Sequence, residues 1–172
     1  MGTDLIDELQ AVIDSFWART KLGDSIRVER SRRDFGYPHV EVVKGKFDIV
    51  ITERGQEIQR LPRLSMTEAA RWYLLQMALE HASKLELSLR TTPEDAPPLP
   101  YGLVDDGYSR WNWMAPTIEI MHLISPEFGK WTSDDFQNTL LCSPLEDYEK
   151  RNSRYPLLSD EPSKDSEDRS DV

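Results

Sequence analysis

The chain has one cysteine, Cys142, among 172 residues, so no disulfide can form within it. That cysteine usage points to a reducing, cytoplasmic setting. No apolar run approaches the ~20 residues needed to cross a bilayer. The opening residues, MGTDLIDELQ, are acidic and lack a basic segment, which argues against a signal peptide. Ile6 stands where N-myristoylation requires Ser or Thr. There are only three histidines, His39, His81 and His122, and none has a zinc-ligand spacing. The dinucleotide, Walker, nucleophile-elbow and EF-hand signatures are all missing. No metal or cofactor is therefore expected. Cys142 falls at the end of a helical stretch, where the dipole disfavours a thiolate, so it reads as a buried apolar side chain.

Positive charge is also scarce. Lys and Arg number 21 against 31 Asp and Glu, a net charge of −10, with a pI near 4.8. Such a surface argues against a nucleic-acid binder, which needs basic residues for phosphate. It suits solubility or a basic protein partner. Part of the excess lies in residues 159–172, which hold six acids and two bases. That stretch is too polar to bury a core and is expected to be a disordered acidic tail. Residues 1–158 are expected to form a single domain.

What remains reads as an α+β chain. Residues 4–19 carry Leu5, Ile6, Leu9, Val12, Ile13, Phe16 and Trp17 at helical spacing, capped by Thr3 or Asp4. Residues 25–30 alternate and suggest a strand. Residues 39–43 and 46–52 alternate around Lys44–Gly45, a tight hairpin. A fourth short strand is expected at 57–60, stopped by Pro62. Together they predict a small antiparallel meander of three or four strands. The strongest pattern is residues 65–90, a long central helix opened by the capping box Ser65–Glu68. Residues 91–109 form a Pro- and Gly-rich connector, long for a compact domain. Helices are expected to include 117–124, ended by Pro126, and to span 134–142 behind Thr132 or Ser133.

Two groups of residues could carry chemistry or recognition. Glu53 and Arg54 precede Gly55 at a strand end. They could serve acid–base chemistry with His81 in a cleft between sheet and helix, making a small-ligand enzyme or sensor. The plainer reading is turn chemistry, with Gly55 at positive φ and the two charges tied to neighbouring elements. The connector gathers Tyr101, Asp105, Asp106, Tyr108, Trp111 and Trp113. Acids and aromatics on a loop suit a protein-binding surface, and equally suit packing of the loop onto the body.

The order of features from Pro38 to Asp147 resembles a known family. PHVEV precedes a hairpin into DIVITERGQE; a helix with Trp72–Tyr73 then ends in ASKLELSLR; SPEFGKW and LLCSPLED follow. This order, with ERGQE as its most recognisable string, resembles the Immunity protein 63 family of bacterial polymorphic-toxin systems. Pro116 and the Pro-rich stretch 93–100 depart from the pattern. The resemblance implies a cytoplasmic, non-enzymatic antidote that binds a cognate toxin domain and neutralises it stoichiometrically. It also implies that Glu53, Arg54 and Gly55 are an architectural mark. On that reading the partner is expected to be basic, and Asp105, Asp106, Tyr108, Trp111 and Trp113 are the expected partner-binding residues.

Overall fold

The computed structural model describes residues 4–158. The expected tail, 159–172, and the alternative cap Thr3 lie outside the described residues. The first helix, α1 (Leu5–Trp17), starts at Asp4, whose Oδ1 accepts a 2.8 Å hydrogen bond from the Ile6 amide. Ile6, Leu9, Ile13 and Trp17 form its buried stripe. Burying four such side chains is worth on the order of 6–12 kcal/mol before conformational entropy.

Residues 25–30 are not a strand, contrary to their alternation. They make one bridge, Glu29 to His39, with the Val40 amide donating to the Glu29 carbonyl at 2.8 Å. The reason is local competition. Gln10 of α1 accepts from the Val28 amide at 2.7 Å and donates to the Ile26 carbonyl at 3.0 Å. The backbone groups a strand would pair are already taken by a helix side chain.

The sheet has three antiparallel strands in the order β1 (Pro38–Val43), β2 (Lys46–Glu53), β3 (Gln56–Leu64). Two-residue turns join them. Lys44 and Gly45 have φ of 50° and 74°, and Arg54 and Gly55 have 49° and 78°. Positive φ at both central residues is the I′ geometry, whose twist matches a hairpin. Strand β3 does not stop at Arg60; it runs through Pro62 to Leu64. An edge strand can spare the missing amide. The register also slips between Phe47↔Leu64 and Ile49↔Leu61, and this irregularity takes up the proline.

Helix α2 (Met66–Leu89) follows at once. Its capping box is complete: the Ser65 hydroxyl accepts from the Glu68 amide at 3.3 Å, and Glu68 accepts from the Ser65 amide at 2.7 Å. At ~1.5 Å per residue it is roughly 36 Å long. Ala69, Ala70, Tyr73, Leu74, Met77 and Ala78 enter the main core with α1 and with Val40, Phe47 and Ile49 of the sheet. Its far end reaches the C-terminal segment, where Arg154 donates to the Leu89 carbonyl at 3.2 Å.

Helix α3 (Trp111–Ile124) starts six residues before the expected stretch and holds Pro116 inside it. Proline there leaves the Asn112 carbonyl without its helical donor. Helix α4 (Pro126–Cys142) was expected only from Asp134. Pro126 both follows the end of α3 and opens α4, because a proline at the first helical position loses nothing. Ile120, Met121, Ile124 and Phe128 complete the main core. Trp111, Met114 and Ala115 form a second cluster with Phe136, Leu140, Leu145 and Tyr155. A short α5 (Asp147–Arg151) was not anticipated. Cys142 is exposed rather than buried. The architecture is α+β, as the patterning predicts.

Candidate functional site

The five connector residues come together at the start of α3, but not as an open surface. Asp105 is buried. It accepts from the Gly107 amide at 2.9 Å, from Arg151 at 2.7 Å and from Asn152 at 2.7 Å. Burial raises its pKa, yet these donors outweigh burial and hold the carboxyl below the usual range. Trp111 is buried too, its indole N–H donating to the Pro156 carbonyl at 2.8 Å. Both are tethers for the chain after α4, and neither can reach a partner as it stands.

Asp106 is exposed and bound to Arg90 at 2.9 Å. Arg90 also grips both oxygens of Glu86, at 3.0 and 2.7 Å, and lies 4.9 Å over the ring of Tyr108. Half-buried Trp113 donates to the Tyr108 hydroxyl at 3.1 Å and meets Phe136 edge-on. The connector's base is thus fixed by an arginine–carboxylate lattice. A third lock, Arg110 with Glu149, has Nε–Oε1 and Nη2–Oε2 both at 2.8 Å. Burial of Glu149 works to raise its pKa; Arg110 and the Glu146 and Arg110 amides still bring it below the usual value. Sequence reading missed Arg110, Glu149 and Arg151 because their pairs lie 39 and 46 residues apart and leave no periodic trace; Arg90 was missed although it stands at helical i,i+4 spacing from Glu86.

Glu53 and Arg54 sit exposed at the β2–β3 turn, and His81 is half-buried on α2. Among the described residues, none of the three side chains makes a hydrogen bond or ion pair, with one another or with anything else. The turn is tied instead through the backbone of Gly55: its amide donates to Asp34 at 3.2 Å, and its carbonyl accepts from Arg32. The expectation that Glu53 and Arg54 anchor it is corrected to Asp34 and Arg32. A groove of about 380 Å³ lies elsewhere, within the connector, between Thr92, Pro97, Leu103 and Val104. Glu53, Arg54 and His81 do not line it.

The second grouping lies on the sheet. Strand alternation puts Val40, Phe47, Ile49 and Leu61 toward the helices. His39, Glu41, Val43, Lys46, Asp48, Val50, Thr52, Glu57 and Arg60 share the other face by register. Arg60 is its hub. Its Nη1 is 2.8 Å from Glu41 and 2.8 Å from Asp48, and Nε and Nη2 hold both oxygens of Glu57 at 2.9 Å. Arg60 lowers the pKa of Glu41 and Glu57, while Asp48 is lowered first by the Arg63 amide. His39 Nε2 is 3.3 Å from Glu41, and its buried Nδ1 has no partner among the described residues. The alternation was visible in the sequence, but the convergence of three acids on one arginine needed the register.

Among the described residues both groupings are networks of paired charges. The chain belongs to the Immunity protein 63 family, whose model matches residues 44–138. That segment runs from the β1–β2 turn into α4 and takes in β2, β3, α2 and α3. No curated protein and no solved structure matches the chain.

Proposed function

We propose that this chain is an antidote: it binds a cognate toxin domain one to one in the cytoplasm and neutralises it by occupying its surface, with no catalytic step. Membership of the immunity-protein family over residues 44–138 carries the reading. The net charge of −10 supports a basic toxin, which opposite charge would steer into encounter. No helix among the described residues is long and apolar enough to cross a membrane, in keeping with an antidote that meets its toxin in solution. Of the expected partner-binding residues, Asp106, Tyr108 and Trp113 keep some exposure, whereas Asp105 and Trp111 act through the scaffold.

The test is co-expression with the toxin domain encoded beside it, scored by growth and by co-purification. Rescue with a one-to-one complex is the expected result. Undiminished toxicity with no complex would overturn the reading.

A further inference from the structure

We propose that the face of the sheet turned away from the helices is the toxin-docking surface, and that a lysine or arginine of the toxin lodges between Glu41 and Glu57. This rests on the antidote reading. Three observations on that face converge.

The first is charge. Glu41, Asp48 and Glu57 share the single guanidinium of Arg60. Arg32 and Arg63 are close enough to act on Glu57 and Asp48 through space; the Arg63 amide donates to Asp48 at 2.8 Å, but neither guanidinium forms an ion pair with these acids. Arg32 is turned to the Gly55 carbonyl. Elsewhere Arg110 meets one carboxylate, Arg151 one and Arg90 two. Lys46 shares the face by register, opposite Val43, but makes no ion pair among the described residues; three carboxylates paired to one guanidinium leave room for a further cation between Glu41 and Glu57. Glu41 and Glu57 are the accessible members, with side chains 42% and 44% exposed.

The second is shape. No helix of the main core rests on this face, yet His39, Val50 and Thr52 are buried there. They form a floor of short or flat side chains beneath the longer Glu41, Glu57 and Arg60. His39, 4% exposed, faces Glu41 with one ring nitrogen and leaves the other unpartnered among the described residues.

The third is the rim. Val43 flanks the acids along β1 at the alternation of His39 and Glu41, and exposed Tyr37 stands immediately before the strand. Ile58, the extra residue where β3 slips against Ile51 and Thr52, stands near Glu57. Tyr37 and Ile58 are each 58% exposed. An aromatic and two aliphatic side chains around a charged centre are the composition of a protein-binding patch.

The experiment measures the affinity of the co-expressed, purified toxin domain for four forms of the full chain. These are wild type, Glu41→Gln with Glu57→Gln, Tyr37→Ser, and Tyr101→Ser as a comparator on the fully exposed connector tip. Glutamine keeps an acceptor for Arg60 while removing the charge. The double variant is expected to raise Kd by about tenfold to a hundredfold and to flatten its salt dependence. Tyr37→Ser, which breaks no hydrogen bond, should weaken binding severalfold, and Tyr101→Ser should leave it unchanged. Should the double variant fail to fold by circular dichroism, Tyr37→Ser decides alone. Wild-type affinity in both sheet variants, or a loss confined to Tyr101→Ser, would overturn the docking surface while the antidote reading stands. A wild-type chain that binds no toxin overturns both.

Discussion

Gly107 is where one methyl group should do the most damage. Its φ is +84°, a conformation that L side chains rarely adopt, and an added Cβ would lie 2.8 Å from the carbonyl carbon of Thr91 and closer still to its oxygen. Thr91 opens the connector and Gly107 is near its end, so the contact is backbone on backbone and no rotamer can relieve it. Left-handed strain alone costs ~1–2 kcal/mol for a non-glycine residue. The clash adds at least as much, since its relief means moving the Asp105 hydrogen bond to the Gly107 amide. Gly107→Ala should therefore lose about 3 kcal/mol, which is roughly 6–12 °C of melting temperature for a chain of this size. Gly102→Ala is the matched control: its φ is +73°, but nothing lies within 4 Å of the added carbon. It should lose only about 1 kcal/mol. Urea unfolding of both variants isolates the steric part as their difference. Equal losses would refute the claim that the Thr91–Gly107 approach holds the connector, and with it the account of a rigid base.

Replacing Glu149 by Ala strips Arg110 of a bidentate partner in a buried site and should cost about 3 kcal/mol; limited proteolysis should then cut within 143–158 before it cuts α2. Arg54→Asn puts a residue at ease with positive φ into the I′ turn and should stabilise by roughly 0.5 kcal/mol without altering toxin affinity; a loss of neutralisation would return Glu53–Arg54 to the functional site. The Asp105 and Glu149 carboxyls both sit below their ordinary values of 3.8 and 4.5 in the folded chain. The unfolded chain therefore binds protons first, and their contribution, complete above those values, is lost as pH falls through the folded ones. The urea midpoint should drop below about pH 4.5, and Glu149→Gln should make that drop shallower.

The fold was readable wherever a period was long and uninterrupted. α2 showed itself in its apolar stripe and a capping box, and β1 and β2 in an alternation around Lys44–Gly45 broken only at Val43 and Val50. It was unreadable where a distant side chain decided the matter. Residues 25–30 alternate as a strand should, but Gln10, some sixteen positions earlier, takes their backbone groups. Pro62 and Pro126 misled in the same way, since a proline was read as an end. One is absorbed at an edge with slipped register, and the other begins a helix. Local grammar gives a proline several meanings, and only the neighbours choose among them.

The site was less readable than the fold, and the reason is arithmetic of charge. Thirty-one acids against twenty-one bases say that acid is in excess, but not which acids are free. The connector drew attention because Asp105 and Asp106 stand together among aromatics. In the folded chain Asp105 belongs to Arg151, and Asp106 shares Arg90 with Glu86. The sheet drew none, because Glu41, Asp48 and Glu57 are scattered along three strands and look like ordinary outward-facing residues. Register brings them to one guanidinium. A carboxylate that already has its own arginine gains little from a partner's cation and must give something up to take it. One that shares an arginine with two others gains more and gives up less. Internal pairing therefore moves the expected point of contact from the connector to the sheet, although as sequence the connector, with four acids and no base across 91–109, is the more acidic region, and the strands, with four acids and five bases across 38–64, are not.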